Sequence, residues 1–358
     1  MKIALDSKDS GNAALKVSIA KEDYQSNIDK KVKDYGKSAK LKGFRQGKVP
    51  VSIIKKMIGK RLLIDEINNI LKESITKYVK ENKIKLIGEP LPDNDKNNDI
   101  DWENQNEFEF KYDIGITPDF ICDISKKLQL NRYKIKITDK TVNDTIDDLV
   151  KKFSSKNIKK GVQNFEPLDQ QFFDKVFGEG VVRSKKEFTE KLKETITHNY
   201  ERESDNFLLK EIRDRILLNT KMDLPKEFLK KWFSVSNNGD LAEKQFNIVF
   251  DDYIQELKWS LIQNKIADDN KIKVTNEEIL QMAKLIVSSR YANLEMNQQT
   301  EENINAFASN YLKENDGRNY QNLYQQLFFQ KTIKFIKENI TIKEKKVDIE
   351  EFKKLAVE

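Results

Sequence analysis

The chain has 358 residues, 65 of them Lys or Arg against 59 Asp or Glu, for a net charge of +6, and its one cysteine, Cys122, excludes an intramolecular disulfide and reads as structural. That length exceeds one ordinary core and predicts two or three domains, while 35% charged and 9% aromatic residues describe a folded, heavily hydrated molecule rather than a disordered one. No apolar run approaches the ~20 residues that span a bilayer, and the N-terminal residues lack a signal-peptide pattern, so a cytoplasmic protein with no membrane partner is expected.

In chain order, residues 14–19 alternate apolar and polar positions as a half-buried strand does, and 21–40 carry helical spacing through Tyr24, Ile28, Val32 and Tyr35. The next segment reads Gly43-Phe44-Arg45-Gln46-Gly47-Lys48-Val49-Pro50. Two glycines let the backbone turn where other residues resist, and Pro50 suits the start of a following helix, which puts Phe44 and Arg45 at the tip of a tight loop. An aromatic ring held between cations gains nothing from water and fits a partner's surface. Twelve cations between residues 30 and 61, with Lys40 and Lys42 beside the loop, face only Asp29 and Asp34, so that partner is expected to be anionic, as nucleic-acid phosphates are. The ordinary reading of such a lysine run is a solvated helix face; the loop argues against it here.

The segment 43–50 resembles the ribosome-docking signature of the trigger factor family, bacterial chaperones that meet chains leaving the ribosome. The resemblance implies that Gly43, Phe44, Arg45, Gln46, Gly47, Lys48 and Pro50 bind the ribosome, at a protein of the exit tunnel and the adjacent ribosomal RNA, with Lys40 and Lys42 as supporting charge. Gln46 stands where the family often carries a further cation, which implies one fewer cation–phosphate pair or a neutral hydrogen bond in its place. The order of elements to about residue 118 follows the same family.

After the loop, 51–58 is predicted as a short helix and 61–81 as a long one, closed by Gly88-Glu89-Pro90; 93–106 is acidic and Asn-rich, and 108–116 alternates as a strand. These elements make a small α/β domain over 1–118. Residues 126–138 read as extended chain, 139–152 as a helix, and 154–164 as a flexible connection, giving a linker and arm over 119–167. Most of the family inserts a β-rich prolyl isomerase domain there. This chain has only a short polar segment, so the isomerase is expected to be absent and the protein not to be an enzyme. From 168 to 358 the pattern is almost wholly helical, with helices at 169–177, 184–219, 225–237, 241–267, 275–290, 303–315, 320–339 and 348–356. The run Phe172 to Gly178 resembles the opening of the family's C-terminal domain.

The expected fold is therefore α+β: a small ribosome-binding domain joined by an extended linker to an elongated all-helical substrate-binding domain with arms. Phe207, Leu208, Leu209, Trp232, Phe233, Phe328 and Phe329 exceed what one buried stripe holds, although aromatic residues at helical spacing are ordinarily core. No Walker-type loop or zinc spacing is present, and the single histidine, His198, lies on a predicted helix, so no cofactor, metal or catalytic set is expected. Together these features predict an ATP-independent chaperone for nascent and unfolded chains. The family's tendency to dimerise when free implies a homodimer. Two other readings stay open: a prolyl isomerase, and an RNA-binding or ribosome-assembly factor without clients.

Overall fold

The computed structural model describes residues 1–7, 11–45, 47–93, 100–102, 105–158, 168–237, 243–290 and 300–357. Packing divides the chain into two units, Met1–Ile121 with Lys221–Glu256, and Cys122–Thr220 with Leu257–Glu358.

The first unit is built on an antiparallel sheet of β1 (Lys2–Ser7), β2 (Asn12–Ile19), β3 (Leu86–Pro92) and β4 (Phe108–Ile116) in the order β1-β2-β4-β3. Alternation in β2 and β4 sends Leu15, Val17, Ile19, Phe108, Phe110 and Ile114 to one face, where they form a core with two helices. Helix α1 (Lys21–Ser38) supplies Tyr24, Ile28 and Val32, and its start is fixed by Asp23, whose carboxylate accepts from the Ala20 backbone N–H at 2.8 Å. Helix α2 (Val51–Glu81) supplies Ile54, Ile67, Leu71 and Ile75.

The two helices expected at 51–58 and 61–81 are one. Gly59 costs an interior helix only about 1 kcal/mol, and the apolar series Ile54, Ile58, Leu62 runs through it on the same core. Strands β1 and β3 were not legible in the sequence. Gly88-Glu89-Pro90, expected to close the helix, instead forms the irregularity of β3 between Ile87 and Leu91, and prolines are tolerated there because β3 is an edge strand. Most of the acidic stretch at 93–106 lies outside the described residues.

The second face of this sheet is partly covered by α6 (Lys226–Ser236), whose Phe228 N–H donates to the Asn12 side chain at 3.1 Å. Phe228 and Trp232 lie where strands carry glycine: a Cβ on Gly115 would come 2.5 Å from the Phe228 ring, and one on Gly88 2.9 Å from Trp232 Nε1. Lys231 and Asp113 pair at 2.8 Å. Division by packing thus differs from division along the chain, because ring-on-glycine seats join residues more than a hundred positions apart.

In the second unit, β5 (Gln129–Ile135) pairs in parallel with β6 (Thr341–Val347), from Gln129 with Thr341 to Ile135 with Val347. The C-terminal region is helical in character, with this strand as a correction to an all-helical one: β6 is Lys-rich, and its partner lies some two hundred residues earlier. Helices α3 (Asp139–Ile158), α4 (Gln170–Phe177) and α5 (Lys185–Asn219) share one core. Helices α8 (Asn276–Arg290), α9 (Glu301–Lys313) and α10 (Arg318–Asn339) share another. The remaining helices are α7 (Glu243–Asp269), divided between the units at Glu256, and α11 (Ile349–Val357), whose Phe352 packs with Tyr133 and Phe207. Of the connection expected at 154–164, the first five residues complete α3 and the rest lie outside the described residues.

Candidate docking loop

The chain leaves α1 at Ser38 and enters α2 at Val51 through two successive turns, closed by Phe44 N–H on Leu41 O at 3.0 Å and Lys48 N–H on Arg45 O at 2.9 Å. Gly43 and Gly47 have φ of +93° and +76°, the left-handed region that side chains resist. Both ends are pinned. Ala39 and Val49 are buried in the core and Leu41 packs against it, while Gly47 lies so near the last turn of α1 that a Cβ there would sit 3.4 Å from the Lys37 carbonyl oxygen. Pro50 precedes α2 and its carbonyl accepts from Ile53 and Ile54.

Between these anchors Phe44 keeps 40% of its surface exposed, and Lys40, Lys42, Arg45 and Lys48 are exposed as well. Gln46 lies outside the described residues. None of those four cations makes an ion pair among the described residues, and the first turn of α2 carries no acidic residue to offset its helix dipole.

Elsewhere in the basic stretch several cations are paired with acids. Lys55 pairs with Asp29 and Lys37 with Asp34, each at 2.8 Å, and these partners hold both carboxyls below their usual range. Two further acids lie just beyond the stretch: Asp65, one helical turn on and 3.9 Å from Arg61, and Glu66, distant in sequence, which meets Lys31 where α1 packs on α2. Glu66 is only 5% exposed; burial opposes its charge, but hydrogen bonds from Lys31 and from Asn27 at 2.6 Å outweigh that and depress its pKa.

Two apolar side chains near the loop were missed. Tyr35, expected on the buried stripe of α1, is exposed, because the series 24, 28, 32 continues to Gly36, where a Cβ would come 2.9 Å from Ile54 Cδ1 and where the helices therefore approach. The signal was there in a strict i+4 period. Val51, first residue of α2, is exposed too.

Of the apolar residues singled out in the helical region, Leu208 and Phe233 are buried, Phe207 lies in an aromatic cluster, and Phe329 is exposed. Leu285, Phe307, Tyr320 and Tyr324 are exposed on α8, α9 and α10. Cys122 is half-buried, with burial pushing its thiol pKa up. Among the described residues no group of three or more His, Cys, Asp or Glu side chains could hold a metal ion, and no helix is long and apolar enough to cross a membrane.

An α+β chain whose small sheet unit carries a glycine-framed, cation-rich loop is the class these features define. Residues 1–149 match the model described as bacterial trigger factor protein, and residues 204–356 match the probable trigger factor C-terminal domain. The chain belongs to the trigger factor family. Among curated trigger factors, that of Sulfurimonas denitrificans is 31% identical over 189 residues, 49% of this chain and 42% of its own length. That of Pelagibacter ubique is 26% identical over 170 residues, 48% of this chain and 34% of its own. The alignments thus span less than half the length of these relatives. A solved chain from work on promiscuous substrate recognition in folding and assembly by the trigger factor chaperone has a similar fold, with a TM-score of 0.54, 12% identity, and coverage of 94% of this chain and 99% of that one. The matched domains are the family's N-terminal and C-terminal ones, and the described residues between 149 and 204 lie in helices and the turns joining them, with no strand among them.

Proposed function

We propose that this protein is an ATP-independent, ribosome-associated chaperone that docks beside the polypeptide exit through the loop at 43–50 and holds nascent or unfolded chains on exposed apolar surface. The observation that carries the reading is the loop itself: anchored at both ends in the core, it holds Phe44 in solvent among four cations without acidic partners. Such a tip suits a partner with an apolar spot set among phosphates, as a ribosomal protein beside ribosomal RNA offers. The exposed aromatic residues of α9 and α10 supply weak, nonspecific attachment for unfolded segments, and holding those segments lowers the free concentration of aggregating species without an energy source. The protein acts without prolyl isomerase chemistry, in the cytoplasm, and associates with itself when free.

The test replaces Phe44, Arg45 and Gln46 with alanine in the full chain. Cosedimentation with ribosomes at physiological salt is abolished while the unfolding midpoint is kept; unchanged cosedimentation removes the docking assignment. In parallel, the unaltered chain at several-fold molar excess suppresses aggregation of an unfolded client. Failure there leaves a ribosome-binding factor without clients.

A further inference from the structure

On the sheet-facing stripe of α6, Phe228 and Trp232 are seated on glycines, and the next residue in the helical period, Val235, has no such seat. It keeps 64% of its surface exposed and lines a cleft of about 570 Å³ together with Leu91 and Pro92, at the end of β3. The apolar seam between helix and sheet therefore runs on past the point where the unit's own residues close it.

Charge around this cleft is one-sided. Both of its carboxylates are taken, Asp113 by Lys231 at 2.8 Å and Asp93 by Lys111 at 3.2 Å. Lys230, which also lines the cleft, is exposed and makes no ion pair among the described residues, and the Ser234 hydroxyl has no hydrogen-bond partner among them. An apolar surface with one spare ammonium and one spare hydroxyl suits a carboxylate carried next to an apolar group, and it disfavours a cation.

The end of β3 does not offer its backbone for strand pairing. Its register breaks between Ile87 and Leu91, and Pro92 has no N–H, so an incoming chain is held here by its side chains and not as an added strand. Size then decides what kind of chain. A cleft of this volume takes one large apolar side chain and its neighbour, far less than the roughly 1,200–2,000 Å² that stable interfaces bury. Contact that small is weak and short-lived, which suits an unfolded segment touched at many points better than a folded partner.

We infer that the cleft between α6 and the end of β3 is a client subsite selective for a large apolar residue next to Asp or Glu, with the apolar side chain against Val235 and Leu91 and the carboxylate at Lys230 and Ser234. It rests on the client-holding part of the function proposed above, and it gives that otherwise nonspecific surface one position with a sequence preference; the docking loop is not involved.

The experiment is a fluorescence anisotropy titration of the full chain with short labelled glycine–serine peptides whose central pair is Leu-Asp, Leu-Lys or Ser-Asp. Leu-Asp binds about threefold to fivefold tighter than Leu-Lys, the range an exposed ion pair supplies, and about tenfold tighter than Ser-Asp. Lys230→Glu reverses the order of Leu-Asp and Leu-Lys, whereas Lys226→Glu, the same charge change on the same helix outside the cleft, keeps it. Val235→Ser brings Leu-Asp down to the level of Ser-Asp. Equal affinity for Leu-Asp and Leu-Lys, or an order that Lys230→Glu leaves in place, overturns the subsite. If no peptide binds while the unaltered chain still suppresses aggregation of an unfolded client, the subsite falls and the chaperone reading stands; if aggregation proceeds as well, both fall. Ribosome cosedimentation is unchanged by Lys230→Glu and Val235→Ser, so the docking loop is judged separately.

Discussion

Phe44 and the pair Phe172-Phe173 occupy comparable runs of sequence, each an aromatic segment closed by glycine, and they meet opposite fates. Phe172 and Phe173 sit on α4, where the Asp169 side chain accepts from Phe172 N–H at 2.7 Å and Gly178, at φ +97°, ends the helix. A capped helix offers a stripe, and both rings pack with Phe188, the Phe173 and Phe188 ring centroids being 4.9 Å apart. Phe44 lies between two left-handed glycines in a pair of turns, where no stripe forms and the neighbours are cations. Local backbone, more than the side chain, decides whether such a ring is buried or exposed.

That contrast is broken or kept by two substitutions. Phe173→Ala empties a buried site and costs about 3–5 kcal/mol, read from urea unfolding followed by circular dichroism. Phe44→Ala costs less than about 1 kcal/mol and instead weakens ribosome binding. Equal destabilisation by both would mean that Phe44 is a core residue.

Next in size is the buried charge beneath the basic patch. Glu66→Gln removes the charge that Lys31 and Asn27 stabilise and costs about 1–2 kcal/mol at neutral pH, a figure held down by the partial exposure of Lys31. Because folding lowers the pKa of Glu66, its contribution is complete above the ordinary carboxylate range and is lost as pH falls through that range toward the folded-state value. The stability gap between wild type and Glu66→Gln therefore closes on acidification; a gap that widens contradicts the assignment.

How much of this could be read from sequence follows the reach of each interaction. Helices α4, α5, α8 and α10 came within about two residues of their observed ends, since period, caps and breakers are all local. Strand β4 was legible from its strict alternation. Strands β1, β3 and β6 were not: β1 and β3 are edges with one paired side, and β6 depends on β5, far away in the chain. The seating of Phe228 on Gly115 and Trp232 on Gly88 had no local signal either. For the candidate site, the glycines and cations of the loop were plain, whereas Tyr35 was placed on the wrong side of α1 and the partner of Lys31 lay 35 residues on, at Glu66.

The loop's shape carries a smaller effect. Gly47→Ala forces a side chain into the left-handed region and against the Lys37 carbonyl, whereas Gly43→Ala meets open space at a similar φ. Each costs about 1 kcal/mol from backbone conformation, with Gly47 the costlier of the two. Both weaken ribosome binding through misplacement of Phe44. A Gly43→Ala penalty well above that for Gly47→Ala would place the anchor on the wrong side of the tip.

Smallest for stability, and most specific for function, is the charge around the tip. Lys40, Lys42 and Lys48 are exposed and without ion pairs among the described residues, so changing all three to Gln alters unfolding by no more than about 0.5 kcal/mol. If they meet phosphate, ribosome affinity measured across a salt series flattens, with the logarithmic slope falling by about 0.7–0.9 for each phosphate left without its cation. Phe44→Ala lowers affinity at every salt concentration and leaves the slope in place, because an apolar anchor releases no counterions. A triple-lysine variant with an unchanged slope would reduce those cations to a solvated rim and leave the ring as the anchor.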